Sequence, residues 1–115
     1  MIDVSDRVPD IDEYLRQFEA YRNELNQIGF ILTGSITKRF MRCSTVGCKC
    51  QTDPKALHGP YYEWTRKVRG KTVSVRLKQK VAEQLMEWIE NKRRFYEIIS
   101  KMEKITLEAA NLIRV

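Results

Sequence analysis

Residues 61–77 read Tyr61-Tyr62-Glu63-Trp64-Thr65-Arg66-Lys67-Val68-Arg69-Gly70-Lys71-Thr72-Val73-Ser74-Val75-Arg76-Leu77. Two arms of alternating character, 61–68 and 71–77, flank Arg69-Gly70, a pair suited to a two-residue hairpin turn. On the second arm Val73, Val75 and Leu77 share one face, and Thr72, Ser74 and Arg76 share the other. On the first arm Tyr62, Trp64, Arg66 and Val68 alternate with Tyr61, Glu63, Thr65 and Lys67. Upstream, residues 33–42 carry β-branched and aromatic positions and predict a third strand. Between the two stretches, residues 43–60 hold Gly47, Pro54, Gly59, Pro60, all three cysteines and the only histidine. They read as a loop, long enough that something should tie it down.

Helical patterns flank this sheet. Ile11, Tyr14, Leu15, Phe18, Tyr21, Leu25 and Ile28 recur at steps of three and four and predict a helix over 10–28. Asp10 is placed to cap it with Glu13 as the capping-box partner, and Gly29 to close it in the left-handed position. Pro9 fits a chain entry ahead of the helix. From Gln79 to Asn111 there is no Gly or Pro, and Val81, Leu85, Trp88, Phe95, Ile99 and Met102 follow a similar spacing, with Lys92 filling one position. This predicts one helix over 79–111, or two broken near Thr106, whose far half packs on the first helix or on another chain. The expected fold is α+β. A small antiparallel sheet of about three strands (34–77), with a zinc-stapled loop, is flanked by an N-terminal and a long C-terminal helix in one domain spanning 1–115.

The chain has 115 residues, 43% hydrophobic and 31% charged, which is ordinary for one soluble globular domain. Its longest apolar run, Gly29-Phe30-Ile31-Leu32, is too short for a bilayer. The N-terminus carries Asp3, Asp6, Asp10 and Asp12 where a signal peptide would be basic and then apolar, so a cytoplasmic protein with no membrane partner is expected. The net charge of +6 is unevenly spread. Residues 34–80 hold twelve bases against Asp53 and Glu63, a net of +10, while residues 1–33 carry −4 and residues 81–115 are neutral.

The cysteines and histidine are spaced Cys43-x4-Cys48-x-Cys50-x7-His58. Three thiolates and one imidazole complete a tetrahedral set for structural Zn²⁺, with no open position for catalysis. Metal binding would supply the folding energy that a coreless loop lacks. Gly47 permits a tight turn that brings Cys43 near Cys48 and Cys50, and Arg42 and Lys49 can offset a site charge near −1. The alternatives are three reduced cysteines beside a hydrogen-bonding histidine, or a set in which Asp53 replaces His58.

The basic residues suggest a nucleic-acid surface. Lys38, Arg39, Arg42, Arg66, Lys67, Arg69, Lys71 and Arg76, with Lys78 and Lys80, can neutralise phosphates. A β-ribbon fits the major groove of duplex DNA, while Tyr61, Tyr62 and Trp64 could stack on unpaired bases. The alternative is a solvated basic edge that discourages strand pairing, with Trp64 in the core.

The stretch from Gly34-Ser35-Ile36 through Cys43, Cys48, Cys50 and His58-Gly59-Pro60-Tyr61-Tyr62 to Trp64, Arg66-Lys67 and Gly70-Lys71-Thr72-Val73 resembles a family of small uncharacterised prokaryotic proteins. The resemblance covers most of residues 34–100. It implies an association with mobile elements and a lean toward DNA transactions. Residues 61–77 with the following helix are also similar to the arm-type DNA-binding domain of phage integrases, in which a three-stranded sheet docks into the major groove. That similarity implies that Arg66, Arg69, Lys71 and Arg76 lie at the DNA.

The expected function is therefore a non-enzymatic, zinc-containing module that binds nucleic acid, duplex DNA in preference to RNA. A homodimer or a partner protein could engage the helices. The alternatives are an RNA-binding module and a protein adaptor that works through the long helix. An enzyme is not expected, because zinc would occupy His58 and no acids cluster to hold Mg²⁺.

Overall fold

The computed structural model describes residues 11–114. Helix α1 spans Ile11–Leu25, strand β1 Ser35–Met41, β2 His58–Val68, β3 Lys71–Leu77 and helix α2 Gln79–Ile113. The three strands form one antiparallel sheet in the order β1-β2-β3, so the fold is α+β. Two short 3₁₀ turns, Lys49–Gln51 and Pro54–Ala56, lie in the connection from β1 to β2. The chain forms two compact units, Leu32–Glu90 and a helical unit made of residues up to Ile31 together with residues from Asn91 onward.

In the sheet unit, Arg69 and Gly70 make the expected two-residue turn, with φ of 50° and 80°. Positive φ at both central positions matches the right-handed twist of the flanking strands. The pairing then follows in register: Val68 faces Lys71, Arg66 faces Val73, Trp64 faces Val75 and Tyr62 faces Leu77. Residues directly opposite share a face. One face therefore carries Ile36, Lys38, Tyr62, Trp64, Arg66, Val73, Val75 and Leu77. The other carries Arg39, Tyr61, Glu63, Thr65, Lys67, Thr72, Ser74 and Arg76. On that polar face the hydroxyls of Thr65 and Ser74 are hydrogen-bonded at 2.8 Å.

The buried residues of this unit are Cys50, Tyr62 and Ala82. Tyr62, expected as an exposed stacking aromatic, is thus a core residue: it sits in the central strand on the apolar face. Trp64 is half-buried and its indole N–H donates to Thr33 O at 3.0 Å. The N–H of Leu32 donates to the carbonyl of Trp88 at 3.1 Å, which ties the chain entering β1 to the first part of α2.

In the helical unit, α1 ends at Leu25, earlier than expected. The N–H groups of Gln27 and Ile28 turn back three residues, to Glu24 O and Leu25 O, at 3.0 and 3.1 Å. This tightened end satisfies the last donors without a left-handed residue, and Gly29 is not among the residues with positive φ. Pro9 and Asp10, the expected entry and cap, lie outside the described residues. The helices run antiparallel. Ile11, Tyr14 and Phe18 line one apolar groove with Ile105 and Ala109, while Glu24 and Gln27 neighbour Arg94 and Ile98. Lys101 Nζ lies 5.9 Å from the Tyr21 ring centroid, and Asn91 Nδ2 donates to Phe30 O at 2.9 Å.

Helix α2 is continuous through Thr106, whose hydroxyl donates to Met102 O at 2.8 Å. Such a back-bond keeps a Ser or Thr inside a helix by occupying its own donor. Of the expected stripe of α2, Leu85, Trp88, Phe95, Ile99 and Met102 are half-buried, but its most buried residues stand beside it. Val81 is 45% exposed while its neighbour Ala82 is fully buried, and Ile98 and Ile105 are the buried isoleucines. An alanine carries little hydrophobic signal, so the seam was set in the sequence by larger neighbours. Accordingly, Ala82→Leu should destabilise the fold by about 1–3 kcal/mol through overpacking. Val81→Ala should change stability by no more than about 0.5 kcal/mol. Urea unfolding of both variants checks which residue faces inward.

Candidate functional site

The cysteine–histidine cluster forms where the sheet ends. Met41, the last residue of β1, is opposite His58, the first of β2. A register shift between Arg39 and Met41 marks a bulge that re-aims the end of the strand. The connecting segment then turns back on itself. Gly47, with φ of 82°, sits in a turn closed by the Cys48 N–H to Thr45 O at 3.3 Å. Such a φ suits glycine because it has no Cβ to clash. The first 3₁₀ turn follows and buries Cys50 completely.

The Sγ atoms of Cys43, Cys48 and Cys50 and a ring nitrogen of His58 all lie within 4.8 Å of one another. The closest pairs are Cys43 Sγ to Cys50 Sγ at 3.4 Å and Cys48 Sγ to His58 Nε2 at 3.3 Å. Tetrahedral bonds of about 2.0–2.3 Å to nitrogen and sulfur require ligand separations of about 3.5–3.8 Å, so this donor set is compatible with one metal ion. Asp53 is not part of the group. Its carboxylate accepts the N–H of Lys55 at 2.9 Å and caps the second 3₁₀ turn. The set with Asp53 in place of His58 is therefore discarded.

The local electrostatics set the sulfurs apart. A hydrogen bond from the backbone of Thr45, reinforced by the Cys50 and Cys48 side chains, lowers the Cys43 thiol to about 6. The backbone of Cys50, and then His58, lower Cys48. At Cys50 the Cys43 N–H, 3.2 Å away, pulls the pKa down, but burial and the two neighbouring sulfurs outweigh it and raise the thiol. His58 is raised, first by Cys48 and then by Cys43. Three sulfurs this close repel one another when all ionise, and a divalent cation relieves that repulsion. Around them, the Gln51 side-chain amide donates to Cys43 O and holds the backbone at the first cysteine. The spacing alone did not single out Gln51.

The structure divides the eight bases expected at nucleic acid. Arg39, Lys67 and Arg76 share the polar face of the sheet, and Arg69 stands in the hairpin turn. Glu63 lies directly opposite Arg76 and pairs with Arg39 at 3.7 Å, and Arg76 stacks 4.4 Å over the ring of Tyr61. Lys38, Arg66 and Lys71 belong to the apolar side, paired with Tyr62, Val73 and Val68. Arg42 lies between β1 and Cys43. The alternation of the first arm, with Arg66 in phase with Tyr62 and Trp64, already carried this signal.

A family model described as a domain of unknown function, DUF6788, matches residues 9–87, and the chain belongs to that family. The match includes α1, the whole sheet and all four members of the cluster. No curated protein and no solved structure matches the chain. The expectation of a family of unknown function is thus met, whereas the family's quoted motif, the integrase likeness and the mobile-element association find no support here.

With a chelator present, Cys43 should be the first thiol alkylated by iodoacetamide and Cys50 the last. The reactive form is the thiolate. The Cys43 rate should therefore fall as the pH drops through about 6 and level off above about 7. Peptide mass spectrometry across pH 5–9 reads the order and the midpoint.

Proposed function

We propose that this domain is a zinc-stapled, non-enzymatic nucleic-acid-binding module that meets duplex DNA through the polar face of its sheet. The observation that carries the reading is the presence, in one compact unit, of a Cys₃His cluster and a sheet face bearing Arg39, Lys67 and Arg76. Cys43, Cys48, Cys50 and His58 would hold the ion. It would close the loop and neutralise thiolates, with every ligand position occupied by protein.

Charge and dimensions favour DNA as the partner. Residues 34–80 carry a net +10, which supplies the counterion-release contribution to phosphate binding. Strands about 4.8 Å apart make a three-stranded backbone about 10 Å wide, within the roughly 12 Å major groove. Glu63 pairs with Arg39, while Arg76 stands opposite Glu63 in the register and stacks on Tyr61, so the three together keep a net positive charge. A protein adaptor is the second reading. It is favoured by the exposed Leu15 and Leu107 of the helical unit, 50% and 62% accessible, where a second copy or another protein would dock.

Two experiments test the proposal. Cys48→Ser or His58→Ala should abolish stoichiometric zinc retention and lower the melting temperature; a melting temperature indifferent to these changes and to chelator removes the structural metal. Arg39→Ala and Arg76→Ala should each weaken duplex binding and reduce the slope of log affinity against log salt by about 1. Wild-type binding that ignores salt, or no duplex binding at low salt, removes the DNA reading, and preference for a single-stranded RNA competitor converts it to RNA.

A further inference from the structure

We infer that Cys43 and Cys50 are an oxidisable pair, through which a peroxide converts the cluster to a disulfide and expels its ion. The inference rests on the metal reading and deepens it; it does not depend on the DNA reading. Within the cluster the closest contacts divide two and two. Cys43 Sγ lies 3.4 Å from Cys50 Sγ, and the Cys43 N–H donates to that same sulfur at 3.2 Å. Cys48 Sγ is instead placed 3.3 Å from His58 Nε2. A shift of about 1 Å in the two side chains would bring the first pair to bonding distance.

Burial sets the order of events. Cys50 is fully buried, whereas Cys43 is half-buried. The turn that follows Cys43, residues 44–47, is exposed throughout. A small oxidant therefore meets Cys43 first and finds Cys50 behind it. A partly accessible sulfur backed by a second sulfur is the arrangement in which a newly formed sulfenic acid is resolved as a disulfide. Cys48 is also half-buried, but the group closest to it is an imidazole, which cannot form that bond.

The chemistry balances with hydrogen peroxide as the oxidant. The Cys43 thiolate attacks one peroxide oxygen; an S–O bond forms, the O–O bond breaks and hydroxide leaves. The Cys50 thiolate then attacks the Cys43 sulfur; an S–S bond forms, the S–O bond breaks and a second hydroxide leaves. The two thiolates lose two electrons in all, and the peroxide is reduced to two hydroxide ions. A disulfide carries no thiolate charge, so only Cys48 and His58 remain as ligands, half of a structural zinc set. The new bond closes residues 43–50 but no longer ties them to β2, which His58 begins.

The test uses the full chain loaded with zinc and treated with excess hydrogen peroxide in metal-free buffer. A colorimetric zinc indicator follows release. Free thiols are then alkylated, and the unreduced chain is digested with trypsin. Cleavage after Arg42, Lys49 and Lys55 separates Cys50 from the peptide that holds Cys43 and Cys48. The expected product is those two peptides joined, with fragmentation placing the bond at Cys43 and the alkyl group on Cys48. Zinc released should equal disulfide formed, and a thiol reductant should restore zinc uptake. Zinc that stays bound under peroxide, zinc released without a disulfide, or a bond that involves Cys48 each overturns the inference and leaves the metal reading intact. A chain that retains no zinc before peroxide is added removes the metal reading and this inference with it.

Discussion

The antiparallel register between β1 and β2 is the constraint on which both ends of the sheet depend. Ser35 stands opposite Thr65 at one end and Met41 opposite His58 at the other. A slip of one residue would send every side chain of β1 to the wrong face. It would also displace Cys43 from His58 and shift Gly34 away from the Trp64 indole that needs its missing Cβ. The register is held from two sides. Ile36 opposite Trp64 joins the half-buried apolar side, and the β2–β3 hairpin fixes β2 through a turn with one geometry.

The connection from β1 to β2 has a different source of order. Its residues 43–57 contribute one fully buried side chain, Cys50. Two single-turn 3₁₀ segments and a side-chain cap satisfy a few backbone groups, each worth about 1 kcal/mol at best. That is small against the conformational entropy of ordering such a segment, about 1–2 kcal/mol per residue. The cluster of three sulfurs and an imidazole is where the remaining stabilisation can come from. The opposing shifts of Cys43 and Cys50 arise among three thiols close enough to repel one another when ionised, a repulsion that a bound cation would relieve.

The two sheet faces treat their cations differently. On the polar face, Arg39 pairs with Glu63 in an ion pair open to water on the arginine side, and Arg76 stacks on Tyr61. Such an ion pair contributes about 0–1 kcal/mol, so it orients these groups more than it stabilises the sheet. On the other face Arg66 is withdrawn onto Trp64 and half-buried, and its position is set by packing. The helical unit is held mainly by Ile98 and Ile105, the only residues of its described part that are buried. Two helices have little interior, and that leaves Leu15 and Leu107 in solvent.

Local chemistry in the sequence determined the elements. Alternation around Arg69-Gly70 gave the turn and the second arm, although β2 begins three residues earlier than expected, at His58, in what read as loop; the absence of Gly and Pro gave the long helix, and the spacing of Cys43, Cys48, Cys50 and His58 gave the cluster. These depend on interactions over a few residues, which pattern and propensity report directly. What needed tertiary structure was the direction each face turns and what lies across it. The sequence could not separate Ala82 from Val81, because burial of an alanine depends on what packs against it. It left Asp53 as a possible ligand until a 3₁₀ turn claimed its carboxylate. It counted Tyr62 and Arg66 among exposed groups, although their phase with Trp64 placed them on the apolar side. The close approach of Gly34 to the Trp64 indole was invisible for the same reason. It follows from the pairing of β1 with β2, and strand pairing across some thirty residues is a property of the folded chain.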